Sequence, residues 1–396
     1  MTASGGLFIL LCMKTIETAV DFGHDRTAPA DIRDALERAA TVAVRDVLGM
    51  REGERALIVS NPREDVATIS MALYRAIRAL GATPVLIFQE PKTQTDFADK
   101  AVIEAFKAEY EVAISMSAQK LGKDRVAISK PYRQGEKSWD HIYHYLMYGK
   151  KNLRSFWSPG TTVYSFIRTV PIDYALLARR AAAIKAILDR AVAVTVTAPG
   201  GTDIHIGLEN RLAMLDDGNF RSGGDGGNLP AGEAFISPVN GTASGTIVFD
   251  GSMSLNDRDI LVTEPIVCTV DGGFVRAIEG GDEAAGLRES VEQGAALARE
   301  FEKNGKLAAG EGARYAQNAR NIGELGIGLN PAAIISGAML EDEKAFRTCH
   351  FAIGANYDED APALIHLDGL VKNPTITAVM ASGDNVLIEE TGELVL

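Results

Sequence analysis

The sequence predicts an α/β protein in two parts. Residues 1–190 read as a helix-covered, parallel-type sheet, and residues 191–396 as an α+β domain with a curved, largely antiparallel sheet. Three observations carry this. The first half runs strand–helix–strand–helix, the order that lays a parallel sheet under helices. After the Ala-rich helical stretch Asp173–Arg190 the texture changes to short alternating strands and glycine-rich turns. The chain has 396 residues with mean hydropathy +0.01, enough for two cores.

The elements follow in order. Leu7–Met13 (LFILLCM) is apolar, but no Lys or Arg precedes it and no small-x-small site follows. It is therefore read as a lead-in, not a signal peptide, and it is shorter than the ~20 residues a bilayer requires. Asp31–Leu48 has helical spacing, with Ile32, Leu36, Ala39, Ala40, Ala43 and Val47 on one side. Ala56–Ser60 is a buried-strand run ended by Asn61-Pro62, and Glu64–Leu80 is a helix closed by Gly81. Val85–Phe88, a helix over Asp96–Tyr110 and a strand over Val112–Ser115 continue the alternation. No G-x-G-x-x-G opens a helix after the first strand, so a dinucleotide site is unsupported. Trp139–Tyr148 is aromatic and holds His141 and His144 at i, i+3; with no carboxylate pattern beside them they read as packing residues.

In the second half, Ala191–Thr197 and Asp203–Leu208 around Pro199-Gly200-Gly201 read as a hairpin. A second hairpin is expected at Asn240-Gly241, joining Ala234–Ile236 to Gly245–Asp250. Ser222–Gly227 (SGGDGG) precedes no helix and reads as a flexible loop, and Gly281–Asn304 reads as one long helix.

Forty basic against 53 acidic residues give a net charge of −13, which disfavours a phosphate-backbone partner. Cys12, Cys268 and Cys349 are too few and odd in number for a disulfide framework. A cytoplasmic protein that binds neither nucleic acid nor membrane is the expectation.

The chemistry is concentrated between Asn321 and Asp368. Three apolar segments there each carry a polar residue suited to a metal: Glu324 in IGELG, His350 in CHFAIG, and His366-x-Asp368 in LIHLDG. A strand puts i and i+2 on one face, so His366 and Asp368 point together while Ile365 and Leu367 point to the core. Imidazole and carboxylate suit Zn, Co, Mn or Fe(II). Glu233, in NLPAGE, is a further candidate upstream.

In order along the chain, Asn228–Glu233, Ala-Arg-x-x-Gly-Glu (Ala319–Glu324), Leu340–Lys344, His350 with Tyr357 seven residues on, and His366-x-Asp368 resemble the aminopeptidase T/aminopeptidase S family of dinuclear metallopeptidases. The resemblance covers about residues 190–396, and the segment between Tyr357 and His366 is shorter than that family usually has. It implies that Glu233, Glu324, His350, His366 and Asp368 bind metal, that Tyr357 is a catalytic donor to an oxyanion, and that the protein is a homodimer acting on a small peptide or amide. If the five ligands meet, their three carboxylates and a bridging hydroxide balance two divalent ions (Zn, Co or Mn). Such a pair acidifies a water and polarises the scissile carbonyl, so the glutamates count as catalytic as well as ligating. The expected function is therefore a metal-dependent aminopeptidase or a related amidase. The alternative is a mononuclear Fe(II) ring-cleaving enzyme similar to the dihydroxypyridine dioxygenases. That reading uses His350, His366 and Asp368 and gives the two glutamates no ligand role.

Overall fold

The computed structural model describes residues 30–93 and 96–396; the run Leu7–Met13, with Cys12 in it, lies outside the described residues. The chain forms two compact units. The first takes the described residues up to Pro171 together with Gly218–Pro230, and the second takes Ile172–Asp217 and Ala231–Leu396. The division falls ahead of the Ala-rich helix rather than at residue 190. That helix, Tyr174–Leu188, begins where the Asp173 carboxylate accepts from Leu176 N at 2.9 Å. Its face Leu177, Ala181, Ile184 and Leu188 is buried in the core of the second unit, which is why it belongs there.

The first unit is the expected parallel sheet. Its strands lie in the order Gly226–Asn228, Arg154–Trp157, Val112–Met116, Arg55–Ser60, Thr83–Phe88, all parallel. The first helix runs over Ala30–Val42 and continues as a wider turn over Ala43–Val47. The edge strand Gly226–Asn228 comes from the glycine-rich stretch read as a flexible loop. It pairs with Arg154–Trp157, and at Gly226 a Cβ would lie 2.7 Å from the Ser155 carbonyl oxygen, so the glycine permits the approach.

The second unit holds two antiparallel sheets. One has eight strands, from Phe274–Glu279 at one edge through Ile266–Asp271, Ser244–Phe249, Asp203–Gly207, Ala191–Thr197 and Thr375–Met380 to Asn385–Glu390 and Glu393–Leu394. The other has seven, in the order Asp259–Leu261, Ser252–Ser254, His366–Lys372, Thr348–Gly354, Ile322–Gly328, Glu233–Ile236, Met214–Asp216. The hairpin at residues 191–207 forms as expected. The one at Asn240-Gly241 does not. The turn exists, with Thr242 N donating to Val239 O and Gly241 at φ +83°, but it sends the chain from one sheet to the other. Glu233–Ile236 pairs with Ile322–Gly328, whereas Ser244–Phe249 pairs with Ile266–Asp271.

The core of this unit takes Val194, Ile204 and Ile247 from the larger sheet, and Leu325, Ile327, Phe351 and Leu367 from the smaller. One face of the seven-stranded sheet is thus apolar, and alternation leaves the opposite face for polar side chains. Phe351 is fully buried between His350 and Ala352 in sequence. Phe351→Ala should cost about 3–5 kcal/mol by leaving a cavity, seen as a lower midpoint in urea denaturation; an unchanged midpoint would contradict this packing. Among the described residues no helix is long and apolar enough to cross a membrane.

Candidate metal centre

Four adjacent strands of the seven-stranded sheet build the candidate site on one face. In the register, Glu233 is opposite Gly328, Gly326 opposite His350, Glu324 opposite Ala352, Ala352 opposite Asp368, and Gly354 opposite His366. The polar residues are therefore separated across the sheet by glycine and alanine, which leaves room for them to lean together. Gly326 is the extreme case. A Cβ there would lie 2.1 Å from both Cε1 and Nε2 of His350, because the imidazole lies over that glycine.

The resulting contacts are close. His350 Nε2 is 3.4 Å from Glu324 Oε1 and 3.6 Å from Glu233 Oε2. His366 Nε2 is 3.1 Å from Glu324 Oε2 and 3.3 Å from Asp368 Oδ1. The other ring nitrogen of His366, Nδ1, donates to the Ala355 carbonyl at 2.8 Å. That bond fixes the tautomer and turns Nε2 towards the carboxylates, as is usual for a metal-binding histidine. Ligand atoms of Glu324, His350 and Asp368 lie within 4.8 Å of one another, and so do those of Glu233, Glu343 and His350.

Burial by itself would raise the Glu324 carboxyl, but hydrogen bonds from His350 and His366 outweigh it and hold it down to about 2. Burial would likewise lower His350, yet Glu324 beside it and the charges of Glu233 and Asp368 push it up to about 9. His366 is raised against its burial, chiefly by Asp368. Without an ion the histidines are thus held protonated by the carboxylates, and a metal would take the protons' place. The chemistry of the donor set fits such an ion. Glu233 Oε2 and His350 Nδ1 are buried polar atoms with no hydrogen-bond partner among the described residues, and buried Asp368 Oδ1 has only the His366 ring nitrogen at 3.3 Å, a costly arrangement for a site with nothing to bind.

Tyr357 lies on the segment between the last two ligand strands. Its ring is 5.3 Å from that of His366 and 5.1 Å from that of Phe235. Its backbone N donates to Ser237 Oγ at 3.3 Å. The charge of Glu324, followed by those of Asp368, Glu343 and Glu233, raises the phenol of this half-exposed side chain, so it is a proton donor at neutral pH. All six residues singled out in the sequence lie in the second unit, together with three groups that sequence reasoning missed as partners. Fully buried Lys344 donates to Glu233 Oε1 and Glu343 Oε1, both at 2.6 Å, and lies 3.7 Å from Asp216 Oδ2. Burial raises Glu343 to about 8 and Asp216 well above the usual carboxylate range, in each case against the pull of Lys344. No local signal marks a lysine for burial, since its side chain is ordinarily exposed.

His141 and His144 are in the first unit and take part in packing. His141 Nδ1 accepts from Tyr143 N at 3.0 Å, so Nε2–H donates to Gly122 O at 3.1 Å. Burial, then the neighbouring His144, lowers His141 to about 4 and keeps it neutral.

Comparisons with known proteins bear on the chemistry. A family model described as NicX, 2,5-dihydroxypyridine 5,6-dioxygenase, matches residues 166–355, a span that includes Glu233, Glu324 and His350 but stops short of His366 and Asp368. A curated relative, the 2,5-dihydroxypyridine 5,6-dioxygenase of Pseudomonas putida (strain KT2440), is 31% identical over 112 residues, 28% of this chain and 32% of the relative. The match thus spans about a third of that relative's length. The solved structure of the dihydroxypyridine dioxygenase from Pseudomonas putida KT2440 superposes with TM-score 0.66 at 18% identity, covering 93% of this chain and 98% of the other. Wild-type AmpT from Thermus thermophilus superposes with TM-score 0.62 at 17% identity, covering 92% and 100%. At such identities the two structures show the shared fold alone.

These matches overturn the hydrolase and aminopeptidase expectation. Both sequence-level matches carry the dioxygenase description, and the resemblance to aminopeptidase T survives only as a resemblance of fold. Glu233, expected as a metal ligand, has one oxygen on the Lys344 ammonium and the other, Oε2, turned to His350 with no hydrogen-bond partner.

Proposed function

We propose that this protein is a metal-dependent ring-cleaving dioxygenase acting on a dihydroxylated pyridine or a close nitrogen-heterocyclic analogue, with one ferrous ion held by His350, His366 and Asp368. The observation that carries the reading is this set of two histidines and one carboxylate on one sheet face beside Glu324, a donor set of the composition that non-haem Fe(II) oxygenases use, in a chain matched over residues 166–355 by the dioxygenase family model.

Glu324, given no ligand role in the sequence-based iron reading, stands between the two histidines and supplies the second negative charge of the core. With neutral imidazoles, Glu324 and Asp368 balance one divalent ion, so the loaded site buries no net charge. A ferrous ion held by His350, His366 and Asp368 would supply the activation of dioxygen that ring cleavage requires. The chain's own groups do the rest. Phe235 and Tyr357 offer aromatic surface beside His366 for a flat substrate. The protonated Tyr357 phenol donates a hydrogen bond to a substrate oxygen, and His366 is kept from rotating by its bond to Ala355.

In the overall change the bond between a hydroxyl-bearing ring carbon and its unsubstituted neighbour breaks and each carbon takes one oxygen atom of O₂, the first becoming a carboxylic acid and the second a formyl group, so that one open-chain product keeps every ring atom. Protein purified without oxygen and loaded with Fe(II) should consume one O₂ per 2,5-dihydroxypyridine, giving a product heavier by the mass of one O₂. Absence of oxygen uptake across a panel of dihydroxypyridines would sink the proposal.

A further inference from the structure

Beside the proposed iron ligands is a second cluster of acids, with Glu233 and Asp216 buried and Glu343 half-buried. Glu233, Glu343 and His350 bring ligand atoms within 4.8 Å of one another, a donor set of the kind that takes a divalent ion. His350 is common to this set and to the iron set, so the two would sit side by side as in a dinuclear centre. The second set, however, already contains a cation. The Lys344 side chain is 0% exposed, and its Nζ lies 2.6 Å from an oxygen of Glu233 and 2.6 Å from an oxygen of Glu343. The third acid, Asp216, lies 3.7 Å from the same nitrogen. Both acidic members of the set thus commit an oxygen to the ammonium. The remaining oxygen of Glu233, Oε2, has no hydrogen-bond partner and faces His350 Nε2 at 3.6 Å.

We propose that Lys344 is the built-in cation of this second pocket, taking the place of a second metal ion and holding the centre to one. The inference rests on the single-ion reading above. An ammonium is a compact point charge with three donors, so it can satisfy several carboxylates at once, much as an ion would. Unlike an ion it has no vacant coordination position and cannot acidify a water or polarise a carbonyl. A divalent ion bound to Glu233, Glu343 and His350 would have to sit within a few ångströms of Nζ, and like charges that close in a dry site repel strongly. Lys344 is therefore a positioning residue. Through Glu233 it steadies the His350 imidazole, and by its charge it excludes the second Lewis acid that two-metal hydrolysis requires.

The test is metal stoichiometry of the full-length protein, with Zn²⁺ as probe, by elemental analysis and titration. The native chain should saturate at one ion. Lys344→Met should take up a second equivalent, because Glu233, Glu343 and Asp216 then lack a cation, and Lys344→Arg should remain at one. A folded Lys344→Met that still saturates at one ion overturns the proposal, as does a native chain that holds two. If Lys344→Met does not fold alone, excess Zn²⁺ should restore its circular dichroism and thermal transition by supplying the missing cation; failure of that rescue also overturns it. Ion counting is independent of catalysis. A chain that binds one ion but takes up no oxygen with dihydroxypyridines defeats the dioxygenase reading alone, and one that cleaves the ring with two ions bound defeats only this inference.

Discussion

Gly326→Ala should empty the metal centre while leaving the sheet folded. The added methyl would sit 2.1 Å from two atoms of the His350 ring, far inside contact distance. The ring cannot slide along its own strand, because the backbone of His350 is registered against both Gly326 and Leu370. It must rotate out of the cluster, taking Nε2 away from Glu324 and the ion. Perturbing a group that merely orients a ligand typically costs ten- to a hundred-fold in metal affinity; displacing the ligand itself should cost at least about 100-fold. Overpacking should lower stability by only about 1–3 kcal/mol. Metal titration together with a thermal melt checks both halves, and wild-type affinity in the alanine variant would contradict the placement of His350.

Asp368→Ala should be equally damaging by a different route. It removes a proposed ligand and one of the two charges that would balance the ion, and it deprives His366 Nε2 of a partner at 3.3 Å. Oxygen uptake should fall by on the order of 1,000-fold or more, since losing the ion forfeits several kcal/mol of transition-state stabilisation. Asp368→Asn should do almost as much harm, because the amide keeps the shape but loses the charge. Retention of one ion and near-native turnover in Asp368→Asn would remove Asp368 from the ligand set.

Much of this site was legible in the sequence. His366-x-Asp368 between apolar neighbours reads as a strand with one wet and one dry face, and Leu367 is indeed 4% exposed in the core. Glu324 and His350 follow from the same alternation. What was not legible depends on distant partners. Asn240-Gly241 is a local turn signal, and it makes a turn, but whether the flanking strands pair is decided by sheets assembled from elsewhere in the chain. The stretch Ser222–Gly227 lacks side chains that mark a strand, and part of it becomes one because only glycine allows so close an approach to Ser155. Lys344 shows the same limit for charge: its burial depends on three carboxylates separated from it by as many as 128 positions, Asp216 being the farthest. The aminopeptidase expectation followed from a ligand order shared within one fold, and a fold hosts more than one chemistry.

The segment from Ala355 to Ile365 separates two kinds of change. The donor atoms ride on hydrogen-bonded strands, and Tyr357 rides on the connection between two of them. Changes within residues 356–364 alter the aromatic surface beside His366, whereas Ala355 must keep its carbonyl on His366 Nδ1, and the strand register is set by neighbouring strands on both sides. If the centre binds metal as proposed, substrate preference can change through residues 356–364 while the strands beneath keep their register.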